Sequence, residues 1–468
     1  MKSYQDWLQI GDREQDRAAF VRSVISEHQG SDAYKTAVIG NDYDRQQNTT
    51  ITHYRKTLYD MAGRAYDDAY SANYKIPSNF FHRFVVQEAQ TLLGNGVTWE
   101  SKAGEKLGED FDTRLVEAAQ AALVEGCAFG FFNLDHVEIF RLTEFAPLYD
   151  EETGALMAGV RFWQIDSSRP LRATLYTVDG YTDYLWDNKN TPDDKWQKIE
   201  DGVYMRQPNA YRVTIVQSEA DGAEILNMEN YPGFPIVPLW GNQARQSEIV
   251  GIRPGIDAYD LIKSGFANDL DNAQMYWILH NAGGMDDADL SQFLDRLKTV
   301  HAAVVDDDAG TGVDAHTVEI PSVAREAMLD RLRADLYEDY MALDTKNIAG
   351  GAVTATQIQA AYEAFDAKLT VLEYCVIDFI KGLLNIAGVQ DKPTFTRSRI
   401  INTSEEIQSV MLAASNLPEE YVTEKVLTLL GDGDKAEKLL RQMAADEYNR
   451  FNGGAGNDTE NESDVQSR

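Results

Sequence analysis

Seven histidines, two cysteines and a large excess of acids are the side chains with which this chain could do chemistry. His28, His53, His82, His136, His280, His301 and His316 are scattered, with neither an HExxH pattern nor paired-ligand spacing, and read as surface or packing residues. Cys127 and Cys375 both lie in apolar segments, cannot build a zinc site between them, and read as buried free thiols of a reducing compartment. Asp306, Asp307 and Asp308 begin like a calcium loop, but Gly310 stands where a ligand is needed and no Glu closes the pattern. No GxxxxGK[ST] loop is present to cradle a nucleotide phosphate, which argues against an ATP-driven motor. Carboxylate pairs abound only because acids abound, so a glycosidase-type pair has no specific support. The expectation is a protein with no catalytic residue, no metal and no cofactor.

The elements that position these residues belong to a large folded chain. Its 468 residues allow about two to four domains, and 43% apolar with 10% aromatic residues marks a protein with a sizeable core. Seventy-six acids against 43 bases give a formal charge of −33, a field that repels a nucleic-acid backbone and opposes tight non-specific binding. The N-terminus has no apolar signal-peptide core and no run approaches about 18 apolar residues, so synthesis and retention in the cytosol are expected.

Helical spacing at Trp7, Phe20, Val24 and Ile25 is followed by a polar segment rich in tyrosine, through Tyr34, Tyr43, Tyr54, Tyr59 and Tyr66. Without neighbouring basic clusters these rings are read as packing residues, not as a stacking platform for bases. Ser78 is the expected N-cap of a helix that ends at Gly94. Gly96, Val97, Thr98 and Trp99 turn extended, and a helix over 111–123 leads into a strand over 126–132. Short strands at 137–141, 158–165, 171–178, 182–186, 211–216 and 236–240, separated by turn residues, predict an antiparallel sheet region. Pro254 is expected to open an amphipathic helix over 256–277, and residues 278–321 form an insertion too small for a core of its own. A small module between two long helices reads as a tip on a stalk.

The most telling stretch is 322–388: one long helix, a break at Asn347, Ile348, Ala349, Gly350 and Gly351, and a second, longer helix. After the break, Ile358, Tyr362, Phe365, Leu369, Leu372, Val376, Phe379 and Leu383 alternate steps of four and three, which keeps one face apolar. Such a helix over 352–386 is roughly 50 Å long. Two adjacent glycines between well-formed helices mark a segment with special backbone angles or one that moves. A strand over 394–401, helices over 404–414, 418–430 and 434–448, and a polar tail expected to be disordered complete the chain.

The order of these parts resembles the portal proteins of tailed bacteriophages of the siphophage type. The resemblance is carried by Pro77-Ser78-Asn79-Phe80-Phe81-His82-Arg83-Phe84-Val85-Val86 leading to Leu92-Leu93-Gly94-Asn95-Gly96-Val97, and by Gly126-Cys127-Ala128-Phe129 leading to Phe145-Ala146-Pro147-Leu148-Tyr149-Asp150. Pro235-Ile236-Val237-Pro238-Leu239 then precedes Ile256-Asp257-Ala258-Tyr259-Asp260, with Ser264, Asn268 and Asp269 further along the same helix. Each motif is short; their order over residues 30–450 is the specific signal.

The resemblance implies an α+β, multidomain chain with an α/β wing, a helical stem, a small α/β clip and a helical crown, assembled as a homo-oligomeric ring of about twelve subunits. Mapped onto this sequence, 1–29 is an N-terminal helical arm, 30–253 the wing, 254–277 and 322–344 the stem helices and 278–321 the clip. Residues 345–351 are the tunnel loop, 352–402 the wing's long helix and returning strand, 403–450 the crown and 451–468 a disordered acidic tail. It further implies a virion protein at one capsid vertex, assembled in the host cytoplasm and no enzyme, through which double-stranded DNA passes without sequence-specific binding. The implied partners are the terminase large subunit, a head-completion or adaptor protein, and the major capsid and scaffolding proteins, with no membrane. The tunnel loop comprises Thr345, Lys346, Asn347, Ile348, Ala349, Gly350 and Gly351, and Lys346 is its only base. The acidic residues Asp286, Asp287, Asp289, Asp306, Asp307 and Asp308 are the expected partner-binding side chains of the clip. A scaffold or adaptor protein would lack this order of stalk, tip and loop, and an acidic hydrolase would be a monomer or small oligomer.

Overall fold

The computed structural model describes residues 2–55, 57–59, 64–67, 73–217, 224–271, 275–280, 312–317, 321–346, 355–398, 403–430 and 440–442. It is a mixed helix and sheet protein of two compact units. Met1–Ala342 with Ala367–Ser398 forms the first, and Leu343–Asp366 with Arg399–Arg468 the second. In the described part of the second unit, helices Thr403–Ala413 and Glu419–Leu429 bury little beyond Val422.

At the N-terminus of the first unit Ser3 and Asp6 close a capping box, each side chain accepting from the other's backbone N–H at 3.2 and 3.0 Å. Helix Glu14–Gly30 then lays Phe20, Val21, Val24 and Ile25 against Leu148, Val160, Phe162 and Leu175 of a six-stranded antiparallel sheet. Phe145–Tyr149, Leu156–Trp163, Leu171–Thr177 and Gly180–Trp186 run through that sheet as a meander, continued by Val203–Met205 and Gln197–Glu200.

A separate three-stranded sheet has Cys127–Asn133 at its centre, between Ile236–Trp240 and His136–Arg141. The central strand is buried almost throughout, because both its faces are covered. Helix Phe111–Glu125 feeds straight into it through Gly126, whose φ of +92° is the left-handed cap that only glycine adopts without strain. Helix Ala355–Ala387 crosses the same sheet in its later turns: Phe379 reaches the backbone at Gly130, and Gly382 admits Val237. Tyr362, Phe365, Leu369, Leu372, Val376, Phe379 and Leu383 of the apolar stripe are buried, and Ile380 and Leu384 join them.

Several expectations change. The helix expected to open at Pro254 runs over Ile249–Asp271 with the proline inside it, and Trp277 belongs to a strand, Met275–His280. Ser247 explains the early start: its hydroxyl donates to the Val124 carbonyl at 2.5 Å and accepts the Ile249 N–H at 3.3 Å, fixing the chain before the proline. Ser78 is not the N-cap; Asn79 holds that place without a side-chain bond, and the Ser78 backbone N–H donates to Asp260 at 2.9 Å. The polar tyrosine segment contains a helix, Asp32–Asp44. The helix from Ser322 ends at Tyr340, where Met341 turns left-handed at φ +61°. Among the described residues the returning strand covers Pro393–Phe395, paired with Val97–Trp99, and residues 399–401 of the expected strand lie outside them. The strand expected over 211–216 is Arg212–Gln217 in a separate hairpin with Glu224–Glu229, so the sheet region is divided among several sheets. Among the described residues no helix is long and apolar enough to cross a membrane.

The close approach at Gly130 yields a test. A Cβ there would stand 2.5 Å from the Phe379 ring, so Gly130→Ala is expected to cost about 1–3 kcal/mol of stability in denaturant unfolding. Adding Phe379→Leu should recover part of that loss.

Candidate functional site

Helices Ile249–Asp271 and Ser322–Tyr340 pack against each other, and their ends define the direction. Gly255 lies against Leu336, while Asp269 is ion-paired with Arg325, so the two run antiparallel. Strands Met275–His280 and Gly312–Thr317 pair as an antiparallel ribbon between them in sequence. The chain therefore goes out along one helix and returns along the other. An isolated two-stranded ribbon has marginal stability alone.

The first of these helices also holds a second element. Asp260, Ser264 and Asn268 follow one another at four-residue steps, and each accepts a backbone N–H from an extended segment: Ser78 at 2.9 Å, Ile76 at 3.0 Å and Tyr74 at 2.5 Å. The match is geometric. Four helical residues rise about 6 Å, and two extended residues advance about 6.6 Å, so a helix face pairs with alternate amides of a strand. Asn48 adds an amide bond to the Ser78 carbonyl at 3.0 Å and another to Asp260 at 2.5 Å. Burial pushes the Asp260 carboxyl above its usual range, against the bonds from Asn48 and Ser78 that favour the charged form.

A third feature gathers charge in the core. Lys368, on helix Ala355–Ala387, donates to Glu248 at 2.8 Å and to the Tyr340 carbonyl at 3.1 Å, and lies 3.4 Å from Glu88. The Tyr340 hydroxyl donates to the same Glu88 oxygen at 2.8 Å, and the Lys368 ammonium sits 3.3 Å from the Tyr340 ring centre. Glu88 is 1% exposed. Its pKa is pushed up to about 7, first by burial and then by the Glu248 charge, with Lys368 and the Tyr340 hydroxyl pulling the other way. The Tyr340 hydroxyl is raised well above its usual range, chiefly by burial. The Tyr340 ring stacks on Phe84 at 4.7 Å, so the cluster ties helix Phe80–Leu93 to the end of helix Ser322–Tyr340 and to the long helix.

Of the site residues read from sequence, Thr345 and Lys346 are exposed, and the Lys346 backbone N–H donates to Asp344 at 3.1 Å. Asn347, Ile348, Ala349, Gly350 and Gly351, and the acidic residues Asp286, Asp287, Asp289, Asp306, Asp307 and Asp308, lie outside the described residues. Among the described residues there is no group of three or more His, Cys, Asp or Glu side chains that could hold a metal ion. Cys127 is buried and Cys375 half-buried, both as free thiols. Sequence reasoning missed the Glu88–Lys368–Glu248 cluster. The available signal was a charge on an apolar stripe: Glu88 follows Phe81, Phe84 and Val85 at helical spacing, and Lys368 stands between Phe365 and Leu372.

Comparison with known proteins decides the family. The family model for phage portal proteins of the SPP1 Gp6-like type matches residues 34–447. The chain belongs to this portal family. It is 25% identical to the portal protein of Bacillus phage SPP1 over 84% of this chain and 79% of that one. It is 28% identical to the portal protein of Clostridium phage phiCD119 over 48% of this chain, and there it spans only 54% of the relative's length. Solved structures with similarity include the neck of an empty gene transfer agent particle (TM-score 0.41, 11% identity, 75% of this chain and 90% of that one). The virion of a native gene transfer agent particle gives a TM-score of 0.39 at 12% identity over 75% of this chain and 89% of that one. The portal resemblance drawn from the order of motifs is thus borne out at the level of family.

The cluster at Lys368 gives this portal protein a testable dependence. Lys368→Met leaves two carboxylates without their shared cation and is expected to cost about 3–5 kcal/mol. Equilibrium denaturation of the full chain checks it, and a loss under about 1 kcal/mol would show that water replaces the ammonium.

Proposed function

We propose that the chain forms a ring of about twelve copies at one capsid vertex, through which double-stranded DNA enters during packaging and leaves at ejection. The family match over residues 34–447 is the observation that carries this reading. On this reading residues 30–253 with 352–402 are the wing, 254–277 and 322–344 the stem, 278–321 the clip and 403–450 the crown. The protein acts as a structural conduit and not as an enzyme, and the terminase large subunit and later a head-completion protein dock on the clip.

Physical chemistry supports the conduit. Every fixed cation that neutralises a phosphate adds a salt-dependent hold that movement must break. With a formal charge of −33, the chain offers a polyanion little to grip, and mobile counterions mediate the contact. Assembly accounts for the surface: Val323, Met328 and Leu270 on the helix pair are exposed in a single copy and would be covered by neighbours. Residues 345–351 are the constriction of the channel, with Lys346 its one base, and the acidic residues of 286–289 and 306–308 select the docking partners by charge.

Three measurements separate these claims. Native mass spectrometry or negative-stain imaging of the purified chain should show closed rings, and a monomer persisting in the presence of scaffolding protein would overturn the ring. Deleting residues 347–351 should leave the ring intact and reduce packaging by at least tenfold; unchanged packaging sinks the role of the loop. Reversing the charge of Asp286, Asp287 and Asp289 should weaken motor docking while leaving ring formation unaltered.

A further inference from the structure

Segment 341–367 contains Leu343–Asp366 of the second unit, and Tyr340 and Lys368, which flank it, both belong to the first unit. The Lys368 ammonium bonds to the Tyr340 carbonyl at 3.1 Å, so a single contact joins the two ends of the segment. That ammonium is shared between half-buried Glu248 at 2.8 Å and Glu88 at 3.4 Å, and Glu88 loses nearly all contact with water. Beside them Met341 adopts a left-handed backbone, and a cavity of about 400 Å³ opens between Glu88, Asn242, Glu248, Tyr340, Lys368 and Val371. The cluster is one positive charge short of neutrality, at a backbone bend, next to space into which it can relax.

We propose that Glu88, Lys368, Glu248 and Tyr340 form a proton-responsive latch that fastens the two ends of segment 341–367, closing tightly when Glu88 carries a proton and loosening when it is ionised. This goes beyond the channel reading and does not require it, because the latch is complete within one copy.

The groups facing Glu88 are the Tyr340 hydroxyl from helix Ser322–Tyr340, the Lys368 ammonium from helix Ala355–Ala387 and the Glu248 carboxylate from the turn before helix Ile249–Asp271. The Asn242 side-chain amide donates to the other Glu248 oxygen at 2.7 Å, which holds Glu248 in place toward Lys368. Protonating Glu88 leaves one ammonium with one carboxylate, a neutral pair already in bonding geometry. Ionising it puts a second buried carboxylate on the same ammonium, and the two acids repel.

The sign follows from linkage. The Glu88 pKa rises from 4.5 to about 7 on folding, so between these values the folded latch binds a proton that the opened one does not. The latch is therefore firmest below 4.5, weakens as pH rises through about 7 and is weakest above it. Buried His28 acts in the opposite sense, since burial lowers its pKa and its contribution is lost as pH falls; a global melting curve would mix the two.

A local readout resolves them. Hydrogen exchange of the full chain, corrected for intrinsic rates and followed in peptides covering 336–346 and 367–372, should show opening that increases on the order of a hundredfold from pH 5 to pH 8. Glu88→Gln keeps the shape without the proton, and its exchange should stay slow and flat over that range. Tyr340→Phe removes a donor to the carboxylate and should move the midpoint of the wild-type profile upward. An unchanged pH profile in Glu88→Gln overturns the latch, as does a midpoint in Tyr340→Phe that stays put or falls.

Discussion

The first unit depends on one close approach, that of a 33-residue helix to a three-stranded sheet. Large side chains at the crossing would hold helix and sheet at the usual side-chain distance. Glycine at 130 on the strand and at 382 on the helix removes them in a reciprocal way, so that Phe379 enters over the strand and Val237 enters over the helix. Each bulky ring or branch fills the space that the opposite glycine vacates, which gives dense packing with little freedom to slide. The remaining turns of this helix are positioned by that crossing, including the turn that carries Lys368.

Lys368 then shows how a buried charge can serve specificity more than stability. Taking an ammonium and two carboxylates out of water costs several kcal/mol, and their attraction returns that cost only with good geometry. Here the geometry is good for one carboxylate and incomplete for the other: Glu248 accepts a hydrogen bond at 2.8 Å, while Glu88 stands off at 3.4 Å and takes its bond from Tyr340. An apolar substitute at the same place could pack helix on helix, but it could not select Tyr340 as the residue at which the chain departs. The three-way charge arrangement fixes the register of helices Ser322–Tyr340 and Ala355–Ala387 at this level, and with it the points between which 341–367 is strung.

Much of this architecture is legible in the sequence where a single period governs a long element. The stripe from Phe365 to Leu383 predicts both the long helix and its buried face, and a helix is legible on either side of the small insertion, the first of them from its apolar spacing. Errors fall where a distant partner overrides a local signal. Pro254 looks like a helix start until Ser247 is seen bonded to Val124, more than a hundred residues away in sequence. Ser78 looks like a cap, yet the helix begins one residue later behind Asn79 and the Ser78 amide serves Asp260 instead. Val203–Met205 is too short to carry a period at all, and exists because Gly180–Trp186 offers it an edge. The Glu88 cluster is only partly legible for the same reason: Glu88 and Lys368 are charges on apolar stripes of their own helices, but only the fold brings Glu88, Glu248 and Tyr340 to the Lys368 ammonium.

The ladder of Asp260, Ser264 and Asn268 joins these two kinds of information. Its residues stand in the sequence at the helical step of four, yet their meaning lies in the strand step of two that they meet at Tyr74, Ile76 and Ser78. Such pairing uses side chains where a sheet would use backbone, so it works only if three positions keep an acceptor while the residues between them are free to vary. At 25% identity to the portal protein of phage SPP1, most positions have changed. An architecture held by a few acceptors at fixed intervals, two reciprocal glycines and one shared cation places its demands on few residues. The surface acids that give the formal charge of −33 answer instead to what the surface must meet.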